Sequence, residues 1–142
     1  MKPIEFVASE MELYELRMKP VSERYGLTAM ELSILLFLAN NPGLDTATEI
    51  VEKRHLTKSH VSTSVRSLEE KGYLKKEHRN GDHRTTHLVL LPSAMEIVEA
   101  GQKAQADFAQ TLLKGFSDEE IRQLERMLCR MNDNVLEALR EG

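Results

Sequence analysis

The sequence predicts a mainly α-helical fold that carries one small β-hairpin, and three observations predict it. Apolar residues recur three and four apart through most of the chain, the spacing of one helix face. Ser/Thr followed three residues later by Glu marks helix starts at Thr28/Glu31, Thr46/Glu49 and Ser117/Glu120. After Gly72 that periodicity stops, and two short strand-like runs flank Arg79-Asn80-Gly81-Asp82, a sequence with turn chemistry. At 142 residues and 16.2 kDa, all of this fits one compact domain or a small domain with helical extensions.

Residues 4–19 place Ile4, Val7, Met11, Tyr14 and Met18 on one face of a first helix, which Pro20 is expected to end or bend. A second helix opens at Thr28, buries the run Leu32 to Leu38, and is stopped by Asn40-Asn41-Pro42-Gly43. A short third helix starts at Thr46 and ends near Lys53 or Arg54. A fourth begins near Thr57 and closes at Gly72, whose freedom to adopt a left-handed conformation suits a helix end. Tyr73–Glu77 and Thr85–Leu91 form the hairpin strands. Pro92 suits the first turn of a long helix running from about Ser93 to Lys114. Gly115-Phe116 breaks the chain before a last helix with Ile121, Leu124, Leu128, Met131, Val135 and Leu139 on one face. The central helices and hairpin make a winged helix-turn-helix, with further helices on either side of it.

The net charge of −4 argues at first against a nucleic-acid partner, but its distribution reverses that. Between Lys53 and Arg84 nine Lys/Arg face four acids, so the segment carries +5 and the rest of the chain −9. All five histidines (55, 60, 78, 83 and 87) fall in or just after it. A basic module on an acidic body concentrates its field where a polyanion docks. The longest apolar run, Ile34 to Ala39, is far too short to span a bilayer. The N-terminus lacks the layout of a signal peptide, and the single cysteine, Cys129, has no partner for an internal disulfide. A cytoplasmic setting is expected.

The fourth helix reads as a surface. Thr57, Val61, Ser64, Val65 and Leu68 fall on one side; Ser59, Ser62, Thr63 and Arg66 lie opposite, flanked by Lys58 and His60. No Asp or Glu occurs between Lys53 and Leu68, although a solvated helix normally mixes acids with bases. Ser and Thr are mediocre helix formers, so a hydroxyl-rich face costs stability unless it serves a purpose. Small hydroxyls donate to phosphates or base edges without blocking close approach, and arginine forks onto guanine. In the hairpin, Arg79, Asp82, His83 and Arg84 project as a wing able to reach a minor groove or flanking phosphates. Asp82, two residues before Arg84, is placed to hold its side chain.

Three passages resemble the MarR (multiple-antibiotic-resistance regulator) family: Leu56-Thr57-Lys58-Ser59-His60-Val61, Leu68-Glu69-Glu70-Lys71-Gly72-Tyr73-Leu74, and Gly81-Asp82-His83-Arg84 leading to Leu88-Val89-Leu90. Tyr25-Gly26-Leu27-Thr28 fits as well. The resemblance implies one domain over 1–142: a winged-helix DNA-binding core over about 28–91, and helical dimerisation regions over about 1–27 and 92–142. It also implies a homodimer on a pseudo-palindromic double-stranded operator. The recognition helix (about 57–71) would lie in the major groove, with Lys58, Ser59, His60, Ser62, Thr63 and Arg66 reading it. The wing (about 78–85) would place Arg84 in the minor groove, with Asp82 orienting it. A repressor relieved by a small ligand is the implied mode, and no ligand residues are assigned. The chain departs from the family at Leu90-Leu91-Pro92-Ser93-Ala94, where the usual threonine cap is missing and Pro92 with the Ser93/Glu96 pair is expected to replace it.

Two other classes fit the sequence less well. A winged helix used for protein contacts alone loses the positive charge of its reading helix, and this one keeps it. A metal or oxidant sensor would need ligand spacing that His78, His83 and His87 lack, or a reactive cysteine. Cys129 is expected to pack in the core or an interface, and the methionines (among them Met11, Met18, Met30, Met95, Met127 and Met131) to fill the core. No glycine-rich phosphate loop, Gly-x-Ser-x-Gly or His-Glu-x-x-His occurs, so neither an enzyme nor a cofactor is expected.

Overall fold

A computed structural model describes residues 2–142; Met1, the start of the expected domain, lies outside the described residues. Six α-helices and a two-stranded antiparallel sheet follow one another: α1 (Pro3–Arg24), α2 (Ala29–Asn40), α3 (Ala47–Arg54), α4 (Lys58–Glu70), β1 (Leu74–Arg79), β2 (Asp82–Leu90), α5 (Met95–Leu112) and α6 (Asp118–Glu141). A 3₁₀ turn, Pro92–Ala94, precedes α5 where one continuous helix was expected. Two compact units result, the first running to Phe108 and the second spanning Ala109–Gly142.

All three predicted capping boxes form. Thr28, Thr46 and Ser117 each accept from the N–H three residues on, and Glu31, Glu49 and Glu120 return the bond to the cap's own N–H. Helix α2 is the centre of the first unit, with Leu32, Ile34, Leu35, Leu36, Phe37 and Leu38 all buried. Ile50 of α3, Val61, Val65 and Leu68 of α4, Leu74 and Leu88 of the hairpin, and Ala94, Ile97 and Val98 near the start of α5 close around it. Each large aliphatic side chain buried in this way contributes roughly 1.5–3 kcal/mol.

Pro20 does not end α1, which continues through it to Arg24. A proline inside a helix costs about 3 kcal/mol. Here the added turn brings Val21 and Tyr25 against the core, and the Leu27 N–H bonds the Ser22 carbonyl. Packing outweighs the local signal.

Thr57 also differs from expectation. Its side chain is exposed and accepts from the His60 N–H as the α4 cap instead of facing the core. Of the methionines, Met18 is buried and Met30 packs against the core, whereas Met11, Met95, Met127 and Met131 are exposed. Cys129 is exposed in the single chain rather than packed. Except for Met95 at the start of α5, these outcomes have one cause: the apolar faces of α1 (Ile4, Val7, Met11) and α6 (Leu124, Leu128, Met131, Val135, Leu139) are left uncovered.

Candidate nucleic-acid interface

The helix-turn-helix is built by two local devices. His55, in the left-handed region at φ 51°, turns the chain at the end of α3, and Thr57 then caps α4. Val61, Ser64, Val65 and Leu68 anchor α4 in the core. That leaves Lys58, Ser59, His60, Ser62, Thr63 and Arg66 exposed together on the opposite side. The structure therefore gathers all six sequence-predicted reading residues on one face.

A buried charge sets the position of α4. Glu31, 3% exposed, accepts from the Ser67 hydroxyl (2.7 Å) and from the Lys71 ammonium (3.0 and 3.2 Å), while Lys71 also donates to the Gly26 carbonyl. Burial pushes the Glu31 carboxyl up, but the Thr28 N–H, the Ser67 hydroxyl and Lys71 outweigh it and hold it below the ordinary carboxylate range. The start of α2 and the end of α4 are thus fastened by one carboxylate.

The nine basic residues of the charged segment separate into two groups. Lys71 pairs with Glu31, Lys76 with Glu69, and Arg79 with Asp45 and Glu77. Among the described residues, no carboxylate lies within 4 Å of Lys53, Arg54, Lys58, Arg66, Lys75 or Arg84. The three braced cations hold structure, and the six uncompensated ones supply the outward field.

In the wing, Asn80 and Gly81 both take positive φ (54° and 74°), as a tight two-residue hairpin turn requires. Asn tolerates that region and Gly enters it freely. The strands reach Arg79 and Asp82, further toward the turn than predicted. Their register is irregular: Glu77 pairs with His87 and Arg79 with Asp82, so His78 alone faces the four residues His83–Thr86. The part of β2 that carries His83 and Arg84 is therefore an arch without a matching ladder. Side chains hold it instead. The His78 imidazole meets the Thr85 carbonyl (3.1 Å) and stacks obliquely near His83, and Asp82 accepts the Arg84 backbone N–H (2.9 Å).

Asp82 was expected to orient the Arg84 side chain; it grips the backbone instead, because its short carboxylate reaches the N–H two residues on. Bonds from the Arg84 and Thr85 N–H groups and the Thr85 hydroxyl keep Asp82 below the usual carboxylate range. The exposed Arg84 guanidinium has no carboxylate within 4 Å among the described residues.

Sequence reasoning missed Asp45 and saw Thr46 only as a helix cap. Thr46 forms an isolated bridge with His87, and the Asp45 carbonyl accepts the Leu88 N–H at 2.7 Å, a short third edge to the sheet. The Asp45 carboxylate accepts from His87 Nδ1 (2.8 Å) and from Arg79 (3.0 Å). The His87 bond, reinforced by Arg79 against some burial, holds Asp45 below its ordinary range. No sequence motif marks a bond between residues 34 or 42 positions apart. Among the described residues no three His, Cys, Asp or Glu side chains converge as a metal site, and no helix is long and apolar enough to cross a membrane.

The sequence model of the MarR family matches residues 25–85, which contain α2, α3, α4, β1 and the turn with the first part of β2. The chain is similar to the uncharacterized HTH-type transcriptional regulator YdgJ of Bacillus subtilis (strain 168), with 26% identity over 110 residues. That match covers 78% of this chain and 66% of YdgJ, so the chain spans just under two thirds of that relative's length. Its fold is similar to that of S. aureus MepR in complex with DNA (TM-score 0.74, 23% identity, 94% of this chain and 98% of that one). It is also similar to a MarR family regulator from Listeria monocytogenes complexed with a 26mer DNA (TM-score 0.78, 15% identity, 97% and 92%). In its matched core and its winged helix-turn-helix fold, the chain is similar to the MarR family of transcriptional regulators.

Proposed function

We propose that the chain is a sequence-specific, double-stranded DNA-binding regulator that works as a homodimer in the cytoplasm. One observation carries this reading: the exposed face of α4 has no acid from Lys58 to Ser67, and its cations, like Arg84 in the wing, have no carboxylate within 4 Å among the described residues. Lys58, Ser59, His60, Ser62, Thr63 and Arg66 enter a major groove, with the serines and threonine permitting close approach and Arg66 supplying a fork for a guanine. Arg84, with His83 beside it, reaches an adjacent minor groove or its phosphates. Arg79 and Asp82 serve the same surface by shaping the wing. Residues 28–91 form the DNA-binding core. Residues 1–27 and 92–142 form the dimer region, a reading supported by the uncovered apolar residues of α1 and α6.

The regulator acts as a repressor relieved by a small ligand. A cavity of about 370 Å³ between α1 and α2, lined by Tyr14, Met18, Leu32 and Leu36, supports that mode. The Ser33 hydroxyl beside it has no hydrogen-bond partner. Because α2 also carries Glu31, a shift of α2 against α1 would act on the end of α4 through the same carboxylate.

Fluorescence anisotropy tests the reading. The purified protein is titrated against the intergenic duplex upstream of its own coding sequence and against a scrambled duplex. Tight binding to the first alone is expected. Equal or absent binding to both overturns it.

A further inference from the structure

We propose that Asp45 is a positioning residue for DNA binding: it fixes the base of the wing arch and so sets the reach of Arg84, a role that rests on the DNA-binding reading above. Asp45 lies in the loop between α2 and α3, outside the set of residues assigned to the reading surface, and contacts one of them, Arg79. Its side chain is only 24% exposed, and both carboxylate oxygens are used. Oδ2 accepts from the Arg79 guanidinium at the last residue of β1, and Oδ1 accepts from His87 Nδ1 in β2. Its main-chain carbonyl takes the Leu88 N–H, and the next residue, Thr46, both bridges to His87 and caps α3. One residue therefore joins both wing strands to the start of the helix-turn-helix.

The position of this tie along the hairpin gives it consequence. Regular pairing stops at Glu77–His87 and resumes only at Arg79–Asp82, so the arch bearing Arg84 begins where the ladder ends. Asp45 grips one residue on each side of that gap, Arg79 and His87. The bonds inside the arch, from His78 to Thr85 and from Asp82 to Arg84, shape it but do not connect it to α3 or α4. Without the Asp45 carboxylate, Arg79 keeps Glu77 on its own strand and a 3.3 Å contact with His87 Nδ1, both inside the hairpin, and neither Arg79 nor His87 keeps its carboxylate from the α2–α3 loop. The arch is then free to pivot about the turn-proximal part of the hairpin. An arginine that must enter a groove while α4 occupies another loses affinity when its base is not fixed.

The test combines two readouts. Amide hydrogen exchange on the free protein reads the tie itself. In Asp45→Ala, the Arg84, His87 and Leu88 amides should exchange at least about tenfold faster, with Val61–Leu68 unchanged. Anisotropy with the labelled upstream intergenic duplex reads the consequence. Asp45→Ala should weaken binding about tenfold in the parent and in Arg66→Ala, but less than about twofold in Arg84→Ala, because it acts through that arginine. Asp45→Asn, which keeps one acceptor, should fall between parent and Asp45→Ala.

Unchanged exchange at Arg84, His87 and Leu88 overturns the proposal. So does an equal loss of affinity in the Arg84→Ala background, or faster exchange across Val61–Leu68, either of which marks a general effect on folding. If the parent binds no duplex while the exchange pattern is as expected, the DNA-binding reading has failed. The positioning role then falls with it, and the tie stands as a feature of the wing alone.

Discussion

In α4 the apolar residues Val61, Val65 and Leu68 are buried within the chain and the polar face is exposed. In α6 the apolar residues Leu124, Leu128, Met131, Val135 and Leu139 are themselves exposed, and none of its residues is buried. Both helices are amphipathic, but each leaves the opposite half without a partner. The polar face of α4 lacks the acids that would satisfy its cations internally, whereas α6 pairs Arg122 and Arg126 with Glu119. The difference teaches how to infer a partner from what a helix leaves unmet. An acid-free, hydroxyl-rich face suits a polyanion, and an uncovered apolar face suits another apolar surface.

The largest expected effect lies on α6. Leu128→Asp should lower self-association by at least about a hundredfold, since it places an unpaired charge in a buried interface at a cost of roughly 3–5 kcal/mol. Sedimentation equilibrium reads this directly: the parent should run at twice the 16.2 kDa chain mass and the variant at the single-chain mass. A parent that runs as a monomer would remove the contrast between the two helices.

Next come the cations of the reading surface. Arg66→Ala and Arg84→Ala should each weaken binding to the upstream duplex by about 10–100-fold, with sedimentation and melting unchanged. Lys71→Ala, a basic residue of the same segment that is braced by Glu31, should instead lower the melting temperature.

Glu31 sharpens that distinction. Glu31→Ala should cost about 2–3 kcal/mol in a denaturant melt, because it removes the α2 capping box and leaves Ser67 and Lys71 without their acceptor. The folded-state carboxyl lies below its unfolded value, so its contribution is complete above the ordinary carboxylate range. It is lost as pH falls through the folded value. The parent should therefore lose more stability on acidification than Glu31→Gln does. The smallest effect is expected at the wing turn, where Gly81→Ala at φ 74° should cost about 1 kcal/mol or less. The cost should appear as faster exchange in the hairpin and not in α4.

Much of the fold was legible because its signals are local. Three capping boxes start α2, α3 and α6 where Thr28, Thr46 and Ser117 said they would, and Asn80-Gly81 turns the hairpin. The exposed polar face of α4 was legible for the same reason, since helical spacing alone puts Lys58, Ser59, His60, Ser62, Thr63 and Arg66 opposite its buried residues. What escaped was set by distant neighbours. Pro20 stays inside α1 because the turn after it packs on the core, and the exposure of Met131 and Cys129 depends on what covers α6. The basic count of the 53–84 segment could not distinguish bracing from outward-facing cations, because Lys71 meets Glu31 forty residues away and Arg79 meets Asp45 thirty-four away. The arch was hidden because strand propensity does not report that His83–Thr86 face a single residue.

The assignment of DNA binding to α4 and the wing is tested most directly by the salt dependence of affinity for the upstream duplex. Affinity should fall linearly on a log–log scale with a slope of about −5 or steeper for the parent, as expected when several phosphates are neutralised. The slope should shrink by about one when Arg84, a proposed phosphate or minor-groove contact, becomes Ala. A parent affinity that salt leaves unchanged, or a slope indifferent to both Arg66 and Arg84, would contradict the assignment.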